Sequence, residues 1–187
     1  MARKSILVNL GIKAEIYITH TDETLYGNIK FTPEEIVAGL SQRKARRAAK
    51  DINDPSALII AADTIVCYNN QILGKPSDAN DAVNTLLMLS GNIHKVYSGI
   101  TVVFDNKTVC DYDVTKVKFR DIDKNEIENY VRTGDPLSKA GSYGAEGIGA
   151  TFLEYIEGDF FNVAGLPVCK FANILKNDFK MTIFDLI

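Results

Sequence analysis

Ala57-Leu58-Ile59-Ile60-Ala61-Ala62-Asp63-Thr64-Ile65-Val66-Cys67 places one carboxylate in the middle of an apolar run. Such a run, rich in β-branched residues, reads as a strand buried on both faces. An ionised carboxylate there loses hydration worth several kcal/mol or more, so it calls for a partner. Tyr68-Asn69-Asn70-Gln71 then reads as a hairpin, and the turn Gly74-Lys75-Pro76 can bring an ammonium back towards Asp63. A carboxylate and a lysine on rigid elements are the minimum for holding a metal and a phosphate together. The alternative reading makes Asp63 a strand-end residue that caps the next turn.

Outward from this stretch, the pattern alternates helices and strands. A short helix is expected from residue 3, closed by Gly11, and a strand over residues 14–19, where Ile16 and Ile18 alternate. Thr32-Pro33-Glu34-Glu35 carries an N-cap, a proline at the first helical position and a glutamate at the third. That helix runs to about residue 49, and Arg43, Arg46, Arg47 and Lys50 make one side basic. Ser77-Asp78-Ala79 opens a helix that ends at Gly91. Residues 95–104 and 108–119 read as an antiparallel pair turned at Asp105-Asn106-Lys107. A helix from Asp123 to about residue 133, a strand over 150–157 and a last helix over 168–176 complete an α/β pattern with a mixed sheet.

At 187 residues the chain suits one domain or one two-lobed unit, able to bury roughly 70% of its unfolded surface without disulfides or a structural metal. A hydrophobic fraction of 46% and a charged fraction of 24% are ordinary for a globular domain. A formal net charge of −3 offers no basic excess for nucleic acid, while leaving local lysines free to bind a small anion. Cys67, Cys110 and Cys169 are odd in number and far apart, which predicts reduced core thiols in the cytoplasm. With His20 and His94 as the only histidines, a zinc site is not expected. Neither a signal peptide nor an apolar run near 18 residues is present, so no membrane span is expected.

Further blocks carry chemistry. Lys139-Ala140-Gly141-Ser142-Tyr143-Gly144-Ala145-Glu146-Gly147-Ile148-Gly149-Ala150 suggests a nucleotide loop at first sight. It lacks the Gly-Lys-Ser/Thr ending of a P-loop and precedes a strand, so P-loop and dinucleotide readings both fail. His94, entering a strand in Gly91-Asn92-Ile93-His94, reads as a hydrogen-bonded structural residue before it reads as a base. Together with Ala62-Asp63-Thr64, Gly74-Lys75-Pro76, Leu89-Ser90-Gly91-Asn92-Ile93-His94-Lys95-Val96-Tyr97-Ser98-Gly99 and Gly158-Asp159-Phe160-Phe161-Asn162-Val163-Ala164-Gly165-Leu166-Pro167, these blocks resemble the Maf family of nucleotide pyrophosphatases. The resemblance runs from about Arg3 beyond Pro167, in the family's order.

What the resemblance implies is specific. It implies an α/β fold with a mixed sheet and two lobes around a central cleft, of the inosine-triphosphatase-like kind and often dimeric, over a single domain of residues 1–187. It implies water attack on the α-phosphorus of a nucleoside triphosphate, releasing the monophosphate and pyrophosphate, with Mg²⁺ or Mn²⁺ as cofactor. Asp63 falls on the central acidic position, with Glu23 as its metal partner. Lys44 and Lys75 fall where ammonium groups meet phosphate. Arg3, Thr64, Tyr143 and Glu146 fall on substrate-binding positions. Nucleic acid and membrane are not expected as partners.

Two departures from the family stand out. Members acting on dTTP and UTP usually carry Gln where this chain has Glu146, and Ser142 with Glu146 is closer to members acting on CTP, UTP or 7-methyl-GTP. Gly158-Asp159-Phe160-Phe161-Asn162-Val163 instead resembles the dTTP/UTP branch, so the pattern is mixed. Members also open with a strand and a Ser-x-Ser-Pro-Arg-Arg loop. This chain reads from Met1-Ala2-Arg3-Lys4, so Arg3 alone matches that loop; either the chain start is truncated or part of the site is lost, and the phosphate site of the chain as written is expected to be incomplete. The rival readings are a non-catalytic nucleotide-binding regulator of cell division and an inosine-triphosphate-type pyrophosphatase.

Overall fold

The computed structural model describes residues 2–21 and 31–187. Its long helices begin where the sequence supplies a cap. Helix α1 (Ala2–Asn9) closes through Gly11 at φ +80°, with Gly11 N–H donating to Val8 O and Ile12 N–H to Leu7 O. This is the paired bond set of a Schellman end, which needs a left-handed residue at the glycine. Helix α2 (Pro33–Ile52) starts with a full capping box: Thr32 Oγ1 accepts from Glu35 N–H, and the Glu35 carboxylate accepts from Thr32 N–H. Asp78 and Asp123 cap helices α3 (Ala79–Leu89) and α4 (Lys124–Arg132) with the side-chain half of such a box, their carboxylates accepting from Asp81 N–H and Glu126 N–H. Each such cap contributes about 1 kcal/mol.

Strand β1 (Ile59–Tyr68) turns through Asn69 and Asn70 into β2 (Gln71–Leu73). Strand β3 (Ile93–Phe104) turns through Asp105 and Asn106 into β4 (Lys107–Phe119). All four turn residues have positive φ, between 47° and 62°. Two-residue turns with both positions left-handed match the twist of hairpin strands, and Asn and Asp tolerate that region. With β5 (Leu153–Glu157) the five strands form one sheet in the order β2-β1-β3-β4-β5. Val66 pairs with Leu73 and Val117 with Ile156, so β1–β2 and β4–β5 run antiparallel. Short α5 (Phe160–Val163) and α6 (Val168–Ile174) follow, α6 running on as a π turn over Leu175–Phe179.

The α/β expectation holds, with three local corrections. Residues 14–19 form no strand: Ile16 and Ile18 are 59% and 69% exposed, and no partner strand meets them among the described residues. Alternation alone does not make a strand, because its backbone groups need a neighbour to bond. The last strand begins at Leu153, since Ile148–Phe152 is wound into a 3₁₀ turn after Gly147 at φ +83°. Cys67 is buried and Cys110 half-buried, but Cys169 is exposed on α6, so only the strand cysteines approach the expected core setting. Among the described residues no helix is long and apolar enough to cross a membrane.

The chain divides into two compact units, and β1, β3 and β4 each pass from one into the other. The first comprises Met1–Asp63, Ser98–Asp113 and Gly165–Ile187; its buried residues include Val37, Leu40 and Ala45 of α2, Ile100 and Val102 of β3, and Phe171 of α6. The second comprises Thr64–Tyr97 and Val114–Ala164, with α3 and α4 on a core of Leu86, Leu89, Phe119, Ile127 and Phe152.

The second core encloses His94, which is 1% exposed and edge-on to Phe119 at 4.9 Å between ring centres. Its Nε2 lies 2.8 Å from the Tyr143 hydroxyl, while Nδ1 finds no partner among the described residues. Burial pushes the imidazole down from its ordinary 6.5 to about 4, so it is neutral near pH 7. The unfolded chain therefore takes up this proton first as pH falls. The stability His94 confers is complete above pH 6.5 and is lost as pH drops towards 4, a gap corresponding to roughly 3 kcal/mol. Denaturant melts of wild type and His94→Asn between pH 7.5 and 4 should show a loss in wild type that the variant lacks, although the variant is less stable at neutral pH. Parallel pH profiles would show that the imidazole does not titrate in this way.

Candidate functional site

In the first unit, Asp63 sits on β1 with only 7% of its surface exposed. The group that answers its charge is Lys44, from the middle of α2, whose Nζ lies 2.6 Å from Asp63 Oδ1. The two side chains are 19% and 10% exposed, so the ion pair is largely shielded from solvent. A charge-assisted hydrogen bond of this length is about twice as strong as a neutral one. Removing either partner would leave the other charge half-stranded in a poor solvent. The contact engages one carboxylate oxygen, and a carboxylate retains acceptor capacity on its second.

Lys44 is delivered by the face of α2 that carries Val37, Ser41 and Ala48, spaced by three and four residues as a helix requires. Ser41 Oγ donates to Ala38 O at 2.9 Å and bonds Thr101 Oγ1 of β3 at 2.9 Å. The Cys110 thiol of β4 also points to Ala38 O, at 3.6 Å. Gly99 of β3 lies so close that a Cβ there would overlap the Val37 carbonyl and come within 2.8 Å of Ala38 N. Sequence reading passed over Ser41 and Thr101, which belong to no motif, and met Gly99 only as the end of the block from Leu89, with no role of its own. The one signal was the three-residue step from Ser41 to Lys44, which puts both on one helix face.

Arg3 Nε donates to Gly165 O at 2.8 Å, tying α1 to the Gly165-Leu166-Pro167 turn within the same unit. The basic side of α2 is partly answered locally: Arg47 Nε donates to Asp51 at 2.6 Å, and this bond holds the Asp51 carboxyl below the usual carboxylate range. Glu23, expected as the metal partner of Asp63, lies outside the described residues. Among the described residues no group of three or more His, Cys, Asp or Glu side chains could hold a metal ion.

In the second unit, Thr64 follows Asp63 on β1 and points to the opposite face of the strand, half-buried. Lys75 is exposed on the turn after β2, at the edge of a hollow of about 220 Å³ lined also by Pro76, Asp81, Thr85 and Met88. Gly74 O accepts from Gly141 N–H at 3.0 Å, so this turn and the glycine-rich segment are bonded together. Gly141, at φ +67°, presses on Val66, which a Cβ would meet at 2.7 Å. Glu146 is exposed, whereas Tyr143 is buried with its hydroxyl against His94, and burial pushes that phenol well above its ordinary value. Beside them Asp135 accepts from Lys139 Nζ at 2.5 Å and from the Tyr130 hydroxyl at 2.6 Å. Burial pushes the Asp135 carboxyl up, but these two bonds outweigh it and hold it low. The geometry thus presents a carboxylate–ammonium pair in one unit, and in the other an exposed lysine on the turn bonded to the glycine-rich segment and an exposed glutamate within that segment.

Comparison with known proteins gives the family. The chain matches the family described as Maf-like protein over residues 1–178. It is 42% identical over 177 residues to a Clostridium perfringens protein named dTTP/UTP pyrophosphatase, covering 94% of this chain and 91% of the other. A protein of the same name from Alkaliphilus metalliredigens is 44% identical over 183 residues, covering 97% and 93%. Another, from Bacillus cereus, is 39% identical over 174 residues, covering 93% and 89%. Agreement of this extent, along nearly the full length of each relative, shows that the chain belongs to the Maf family.

Proposed function

We propose that this protein is a nucleoside triphosphate pyrophosphatase that acts on pyrimidine nucleotides, dTTP and UTP first among them, yielding the monophosphate and pyrophosphate. The observation that carries the reading is the shielded Lys44–Asp63 pair at 2.6 Å in a chain of this family. The curated relatives named dTTP/UTP pyrophosphatase support the substrate class.

Hydrolysis at a phosphorus needs a group to orient and deprotonate water, and positive charge to meet the oxygens. Asp63 takes the first role: its carboxylate accepts the proton of the attacking water as that water's oxygen bonds to the α-phosphorus and the bond from that phosphorus to the α–β bridging oxygen breaks, the electron pair leaving with pyrophosphate. Lys44 holds Asp63 in place and sets an ammonium beside the phosphates, and the exposed Lys75 is assigned to phosphate as well. Mg²⁺ is typically held by one or two carboxylates plus the substrate's own phosphates, so Asp63, whose contact with Lys44 uses only Oδ1, fits an ion that arrives with the nucleotide. When bound, that ion supplies neutralisation of phosphate charge. Three cysteines, odd in number and far apart in the chain, suit the reducing environment of a cytoplasm.

Pyrophosphate release across a panel of nucleoside triphosphates, with Mg²⁺ or Mn²⁺, tests the reading. Turnover should be highest for dTTP or UTP. Asp63→Asn should lower it by ~10²–10⁴-fold with the circular dichroism spectrum unchanged. Activity within a few-fold of wild type would remove Asp63 from the mechanism.

Base choice falls to Glu146, which is exposed within the glycine-rich segment. A carboxylate accepts hydrogen bonds but donates none, whereas thymine and uracil offer two acceptors around one donor. Glu146→Gln should therefore raise the ratio of dTTP and UTP turnover to that of CTP. An unchanged substrate ranking would place base recognition elsewhere.

A further inference from the structure

We infer that Gly99 and the Ser41–Thr101 hydroxyl pair are positioning residues that set the Lys44–Asp63 distance. The inference rests on the reading of Asp63 and Lys44 as the hydrolytic pair, and it concerns how their geometry is held.

Lys44 reaches Asp63 from a helix, so the ion pair depends on the height and register of α2 over the sheet. Two contacts fix both, on neighbouring turns of the helix. At the first, β3 touches α2 backbone to backbone: the missing Cβ of Gly99 is what lets the Val37 carbonyl and the Ala38 amide nitrogen approach. Any side chain at 99 would lift the helix. At the second, Ser41 and Thr101 are each 0% exposed and their hydroxyls are 2.9 Å apart. Ser41 has a single hydroxyl proton and gives it to Ala38 O, so Thr101 is the donor between them. This bond has a direction and a length, which apolar packing lacks, and so it fixes rotation and register as well as spacing. Gly99 and Thr101 are two apart on β3 and share one face of the strand. Lys44 follows Ser41 by three residues, about 4.5 Å further along the helix axis. A displacement at either contact is passed by the rigid helix to the ammonium.

Two buried hydroxyls facing each other could equally be ordinary core filling, and substitutions at Thr101 separate the two roles. Valine keeps the volume of threonine and removes the hydroxyl; serine keeps the hydroxyl and removes the methyl. If the bond positions Lys44, Thr101→Val should lower kcat by ~10–100-fold with a much smaller change in KM, since misplacement near 1 Å can cost ~10²-fold. Thr101→Ser should restore most of the loss. A packing role predicts the reverse order, valine tolerated and serine impaired, and that result would overturn the inference. In a Lys44→Ala background, adding Thr101→Val should cost less than about twofold, because the group being positioned is gone. A full multiplicative loss there would also overturn it. Gly99→Ala should reproduce the kcat loss in protein that still melts cooperatively. Should Thr101→Val fail to fold, Ser41→Ala carries the same test, and a wild-type kcat in it refutes the positioning role. The two levels fail separately: active Asp63→Asn removes the hydrolytic reading, whereas inactive Asp63→Asn with fully active Thr101→Val removes only the positioning residues.

Discussion

A carboxylate inside an apolar strand has to be answered by a positive charge, and in this protein that demand organises the first unit. Asp63 cannot draw on bulk water at 7% exposure, and a backbone amide of its own strand is already committed to the sheet. The answer comes from Lys44 on α2, which obliges the helix to lie close enough for a side chain to reach. Glycine at 99 and small polar residues at 41 and 101 are what such closeness requires. The same shielding that makes the pair necessary also makes it useful, because charge placed in a poorly solvated setting acts strongly on whatever anion enters.

The second unit solves a different problem, that of holding a segment with little side-chain bulk in one conformation. Glycines at 141, 144, 147 and 149 leave the backbone free to take many shapes in an unfolded chain. Order is imposed from below: Gly141 is bonded to Gly74 and pressed onto Val66, while Tyr143 is driven between His94 and Phe119. The Tyr143 hydroxyl meets the neutral imidazole, so a polar link crosses an aromatic core without any buried charge. Ser142, fully buried at φ +61° with its Oγ unpartnered among the described residues, marks local strain between these anchors. Glu146 is thereby presented to solvent from a rigid base.

Local chemistry was readable along the chain. The Thr32 capping box, the Asp78 and Asp123 caps, the closing Gly11 and the two Asn/Asp hairpin turns act over two to five residues, so sequence alone determined where those helices and hairpins lie. The unusual position of Asp63 in an apolar run was likewise visible, as were the family's blocks. Tertiary structure decided the rest. It refused a strand to residues 14–19, because alternation supplies side chains but not a bonding partner. It paired Asp63 with Lys44 from α2, where reading along the chain had looked to the nearer turn at Lys75. It turned the Tyr143 hydroxyl inwards to His94 and brought Ser41 and Gly99 into contact range of their partners, 60 residues on or more. Which of two lysines meets a carboxylate depends on how a helix is laid against a sheet, and that is set by packing between residues far apart in the chain, which no local pattern encodes.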